Sequence, residues 1–153
     1  MKKIVGLGIL LLMACTADNA LYHHYETVAD EGWDKEDTLL FSTDTLRETA
    51  SCRLEVEMRT TMDYPYCSLS MMVEETVVPT GEKRVYPVTL QIATDEGERN
   101  GENISICTIR EALPGEHKVM KGNVVSYKIY HKMRRQVLPG IKDVGVKLTK
   151  NWN

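Results

Sequence analysis

Nothing in this 153-residue chain spells out a reaction. It has no Cys-x-x-Cys pair and no Cys/His spacing of the zinc-binding kind, which removes the common metal frameworks. No glycine-rich loop follows a strand-like segment and no Gly-x-Ser-x-Gly elbow appears, so neither a phosphate cradle nor an esterase-type nucleophile is written in. Carboxylates are plentiful, but none stands out as a paired acid and base. An apolar run able to cross a bilayer is missing too: the stretch from Ile4 to Ala14 has 11 residues, against about 20 for a spanning helix. These absences predict a protein that is not an enzyme and needs no metal or cofactor. No nucleic-acid partner is expected either.

What the N-terminus does contain is specific. Lys2 and Lys3 precede the short apolar run, as in the n-region and h-region of a bacterial export signal. Leu12-Met13-Ala14-Cys15 then resembles the lipobox of bacterial lipoproteins, in which the cysteine is acylated and becomes the first mature residue. Each buried methylene contributes about 0.8 kcal/mol and one chain alone holds only marginally, so two or three acyl chains on Cys15 make a durable anchor. The expected organisation is a signal peptide over 1–14, a lipidated tether over 15–24 and a single domain over 25–153. The protein is expected at the cell envelope, attached to a membrane through those chains.

Loss of Lys2 and Lys3 leaves 17 of the 19 basic residues against 22 acidic ones, and the mature charge falls from −3 to −5. The charge is unevenly placed. Residues 16–80 hold 4 basic and 14 acidic side chains, whereas 118–153 hold 9 basic ones and the single acid Asp143. Three cysteines remain after Cys15, namely Cys52, Cys67 and Cys107. At most one bridge can form, and the better expectation is small buried hydrophobes.

The mature chain reads as β almost throughout. Arg53-Leu54-Glu55-Val56-Glu57-Met58-Arg59 alternates without a fault, so Leu54, Val56 and Met58 share one face. The same period runs through Leu69, Met71 and Val73; through Tyr86, Val88, Leu90 and Ile92; through Ile104 and Ile106; through Val125 to Met133; and through Val144, Val146 and Leu148. Leu21 to Val28 and Leu39 to Thr43 are weaker candidates. Turn residues such as Pro79-Thr80-Gly81, Lys121-Gly122-Asn123 and Pro139-Gly140 separate them. The prediction is an all-β chain, one antiparallel β-sandwich of jelly-roll or immunoglobulin-like type with about eight strands. Thr108 to Leu113 is ambiguous between strand and helical turn.

Few side chains suggest binding. His23 and His24 are adjacent and point to opposite faces of a strand, so they do not hold one ion. His131 falls on an apolar phase and reads as a hydrogen-bonded core histidine. Trp33 reads as a plug at the end of the sandwich, and Tyr64-Pro65-Tyr66 as a rigid corner. The alternative makes Trp33, Tyr64 and Tyr66 an exposed stacking surface for sugar or peptide. Lys128, Lys132 and Arg134 share one outward phase. They either pair with the acidic strand of Glu55 and Glu57 or offer a basic face to anionic lipid or an acidic partner.

Gly32-Trp33, Leu40-Phe41, Arg59, Tyr64-Pro65-Tyr66 and Leu69 resemble the gliding motility lipoprotein GldH family of Bacteroidetes. Gly122, Tyr127, Ile129, Met133-Arg134, Leu138-Pro139-Gly140-Ile141 and Asp143-Val144-Gly145 extend the likeness across nearly the whole mature chain. The resemblance implies an envelope lipoprotein without known catalysis, partnered by gliding or associated secretion proteins and placed at the outer membrane. It also makes Asp37-Thr38-Leu39 and Asp44-Thr45-Leu46 resemble the O-glycosylation motif of exported proteins in that phylum, with Thr38 and Thr45 as acceptors.

Overall fold

The computed structural model describes residues 19–100 and 105–151. The expected signal peptide, Cys15, Ile104 and Trp152 lie outside the described residues. Eleven strands and no helix are found among those described: β1 (Ala20–Thr27), β2 (Trp33–Asp34), β3 (Leu39–Ser42), β4 (Ala50–Thr60), β5 (Ser68–Val78), β6 (Glu82–Gln91), β7 (Cys107–Ala112), β8 (His117–Val119), β9 (Val124–His131), β10 (Val137–Leu138) and β11 (Ile141–Lys150).

Two antiparallel sheets face each other. One runs β1-β11-β4-β7, with β8 also pairing β4, and the other runs β3-β9-β5-β6. The short β2/β10 ribbon closes one end. Taking β7 and β8 as successive pieces of one sheet position, the eight positions follow the order 1-8-3-6 over 2-7-4-5. That is the jelly-roll order, and it decides between the two sandwich types the sequence allows.

Period-two alternation accounts for the core. Leu54, Val56 and Met58 of β4, Leu69, Met71 and Val73 of β5, Ile129 of β9, and Val144, Val146 and Leu148 of β11 are essentially without solvent contact. Burying each such side chain stabilises the fold by about 1.5–3 kcal/mol before the entropy cost.

Three expectations need correction. Residues 20–24 already belong to β1, paired with β11, so the sheet starts five residues before the expected domain boundary. The strand expected at Ile104 and Ile106 begins instead at Cys107, with Cys107 and Ile109 inward and Ile106 43% exposed. The ambiguous segment from Thr108 is therefore strand. Lastly, β9 stops at His131 and Met133 lies beyond it, where its sulfur accepts from the Ser70 amide.

The sandwich has two unlike ends. At the near end, Ala20 sits opposite Thr149 and the Lys150 amide donates to the Asn19 carbonyl at 3.0 Å. The loop after β3 closes on the turn before β9 there, through Gly122 N to Leu46 O and Leu46 N to Asn123 O. The far end carries the β2/β10 ribbon and the loops after β4 and β6.

Candidate functional site

On the outer face of the first sheet, a ladder row runs Tyr25, Gly145, Glu57, Arg110 across β1, β11, β4 and β7. Alternation places Glu57 outward, yet it is 1% exposed. Gly145 has no side chain, so Tyr25 leans across it and donates its hydroxyl to the Glu57 carboxylate. His23 Nε2 lies 3.0 Å from the same oxygen and Arg110 Nε donates to the other at 3.1 Å. The Arg59 guanidinium then lies 3.9 Å over the Tyr25 ring. Burial works to raise the Glu57 pKa, but the Tyr25 and His23 hydrogen bonds and the nearby cations outweigh it and hold the carboxyl below its usual range. Burial, the bond to Glu57 and the charge of Glu57 push Tyr25 up to about 12. A carboxylate with both oxygens engaged in this way works as a tie across three strands. Its chemistry is structural.

A second polar cluster lies between the sheets. Glu75 continues the inward phase of β5 and is 4% exposed; His117 of β8 is 3% exposed, with Nδ1 3.5 Å from Glu75 Oε2. Arg84 approaches the other oxygen at 3.8 Å, Tyr127 stands opposite Glu75 on β9, and Tyr86 tilts against the His117 ring. Burial pushes Tyr127 well above the ordinary tyrosine value and raises Cys52 to about 11, which leaves that thiol inert. Cys52 and Cys107 are buried, Cys67 is exposed, and all three are free thiols.

The plug and the corner are found, and the alternative aromatic platform does not assemble. Trp33 is fully buried, with its indole N–H donating to the Asp37 carbonyl at 2.9 Å and its ring meeting His131 edge-on. Gly32 makes room for the ribbon: its φ is +116° and a Cβ there would lie 2.4 Å from the Leu138 carbonyl oxygen. Tyr64 is 2% exposed and closes the corner by donating to the Ser68 carbonyl at 2.9 Å. Tyr66 keeps a solvent face. With Trp33 and Tyr64 buried, the three rings do not share the exposed stacking surface on which the sugar- or peptide-binding alternative rests. His131, also fully buried, sits 3.2 Å from the Trp33 carbonyl through Nε2, and burial lowers its pKa despite that bond.

The basic residues also fall differently. Lys128 lies in the second sheet, between Leu40 of β3 and Glu74 of β5, and not beside Glu55 and Glu57. The residues opposite Glu55 are Lys147 of β11 and Ala112 of β7. Lys132 and Arg134 follow the end of β9 and are exposed, and Lys132 lies 5.4 Å from the Tyr130 ring centroid. Thr38 and Thr45 are both exposed. His23 and His24 find separate carboxylates, Glu57 and Glu26. Among the described residues, no three His, Cys, Asp or Glu side chains converge as a metal site.

Sequence reasoning passes over Glu75, His117 and Arg99, and takes Glu57 only as an outward partner for the basic residues. Arg99 donates to the carbonyls of Thr61, Met62 and Tyr64 at 2.9–3.0 Å and pins the loop after β4. Only Glu75 leaves a trace in the sequence, as a charge on the apolar phase of Leu69, Met71 and Val73.

A sequence profile of the GldH lipoprotein family matches residues 20–148, from the first strand to the last. The chain belongs to the GldH lipoprotein family. Membership makes it a lipid-anchored protein of the cell envelope. The sequence matches none of the curated proteins it was compared with. Among solved structures, it is similar to a CocE/NonD family hydrolase from Staphylococcus aureus at 10% identity and TM-score 0.46, over 86% of this chain and 33% of that one. An α-amino acid ester hydrolase is similar at 10% identity and TM-score 0.41, over 78% of this chain and 25% of the other. Eiger TNF from S. frugiperda is similar at 9% identity and TM-score 0.31, over 70% and 64% respectively. The chain thus spans a third or less of the two hydrolases. Likenesses of this size leave the function to be argued from its own residues.

Proposed function

We propose that this protein is a non-enzymatic accessory or scaffold of gliding motility or the associated envelope machinery, held at the outer membrane by acyl chains on Cys15. The family match over residues 20–148 carries the reading. The fold supports it in two ways. Glu57, the most completely engaged carboxylate of the outer sheet face, is committed to internal ties. The first strand also begins at the near end, so an anchor just before it presents the far end to other envelope proteins. There Met62 and Ile106 are exposed, at 65% and 43%, near the exposed Tyr66, and Lys132 and Arg134 add positive charge. Exposure of Thr38 and Thr45 also suits them as O-glycan acceptors.

The test is crosslinking and co-purification from native membranes, with Cys15→Ala beside the wild type. Wild type should recover gliding or secretion components and Cys15→Ala should lose them together with the membrane fraction. Recovery of no such component by the wild type overturns the machinery assignment. The intact mass of the natively purified protein decides the glycans, since an unglycosylated mass excludes both threonines.

A further inference from the structure

We propose that the near end of the sandwich docks on the bilayer, with Met120 entering the headgroup layer and Arg47, Lys118 and Lys121 binding anionic lipid phosphates. This rests on the lipid-anchored reading with Cys15 as the attachment point. Asn19 is tied to Lys150 at the near end. Three residues lie between it and Cys15, and the four residue-to-residue steps span at most about 14 Å when fully extended. The bilayer surface therefore lies within that distance of the near end.

What this end offers is suited to such a surface. Met120 is 58% exposed at the tip of the turn between β8 and β9. The turn is held: Asn123 N donates to Met120 O at 3.1 Å, Lys121 N to the Thr49 hydroxyl at 3.0 Å, and Gly122 N to Leu46 O at 2.7 Å. Val78, where β5 ends opposite Val124, adds a second apolar side chain at 48% exposure. Around them, the neighbouring Lys150 pairs with Glu48 at 3.0 Å and Glu116 accepts from the Ser51 hydroxyl. Arg47, Lys118 and Lys121 are exposed and have no ion-pair partner among the described residues, while Asp44 is the remaining exposed carboxylate of the adjoining loop. Long basic side chains around an apolar tip reach phosphates while their stems lie along the acyl boundary. Tethering supplies high local concentration, so even a small patch is occupied.

The experiment uses the full lipidated protein in vesicles of phosphatidylethanolamine and phosphatidylglycerol with brominated acyl chains. Tryptophan is introduced as Met120→Trp or, at the opposite end, Met62→Trp, each with Trp152→Phe. Unchanged thermal midpoints certify the fold. After subtraction of the emission of the Trp152→Phe protein, which reports the buried Trp33 alone, the Met120→Trp signal should fall about two-fold or more while the Met62→Trp signal stays unquenched, as expected for a group at the acyl boundary. Adding Arg47→Glu, Lys118→Glu and Lys121→Glu should abolish the quenching without releasing the protein. Unquenched Met120→Trp, or equal quenching at Met62→Trp, overturns the docking. Equal quenching in brominated phosphatidylcholine, whose headgroup phosphate is balanced by its choline, overturns the recognition of anionic lipid. Failure of the wild type to float with vesicles overturns the anchor itself, and so separates the two readings.

Discussion

The Tyr25 hydroxyl reaches the Glu57 carboxylate from two strands away, over the bare backbone of Gly145. The contact depends on a missing side chain. A Cβ at position 145 would lie 2.7 Å from Tyr25 Cε1. Gly145→Ala is therefore expected to displace the ring and to destabilise the fold by about 1–3 kcal/mol. Denaturant unfolding measures this, and Gly145→Ala combined with Tyr25→Ala should cost less than the sum of the two single changes. Strict additivity would count against the contact.

The same carboxylate sets an acid limit. Its folded pKa lies below the ordinary value, so Glu57 contributes stability that is present above its unfolded pKa of about 4.3 and lost as pH falls through the folded value. Glu57→Gln should flatten the loss of stability in the acid range, read from urea midpoints at successive pH values. An acid limb as steep as the wild type's would assign it to other groups.

His131 acts in a higher window. Its folded pKa is depressed by burial, so the unfolded chain takes up the proton first. Stability is full above about pH 6.5 and declines below it until the folded pKa is reached. Replacement by Gln keeps a donor for the Trp33 carbonyl and removes the titration. The variant should lose stability less steeply than the wild type between neutral pH and the start of the Glu57 limb, and an unchanged slope in a pH series of thermal midpoints would deny this.

Two aromatic residues should differ sharply. Trp33→Ala empties a fully buried site and should cost about 3–5 kcal/mol, enough to leave a domain of ordinary stability partly unfolded. Tyr66→Ala, at an exposed ring, should change stability by no more than about 0.5 kcal/mol. Comparable losses at the two positions would contradict the burial pattern.

Strand phase is legible in the sequence because period two is a local property. Arg53 to Arg59 shows its buried face without any knowledge of neighbours, as does Val144 to Leu148. Pairing is not local. Lys128 meets Glu74 rather than Glu55 because the jelly-roll path carries β9 into the other sheet, and no charge pattern announces that path. The burial of Glu57 is hidden for the same reason: it requires Tyr25, 32 residues earlier, to cross a glycine 88 residues later. Ile106 misleads because it precedes the strand and the inward phase starts afresh at Cys107. The corner at Tyr64 and the plug at Trp33 can be read, since proline and an isolated tryptophan in a polar segment each constrain what the surrounding chain can do.

The first strand lies antiparallel against the last, with partners from Ala20 opposite Thr149 to Thr27 opposite Asp143. A pull applied just before Ala20 and resisted at the far end runs along β1, so it slides that strand against β11 and strains its cross-strand hydrogen bonds together instead of breaking them in turn. Strands pulled in shear give way at higher force than strands peeled apart. The arrangement keeps the fold closed against tension applied between its N-terminus and its far end.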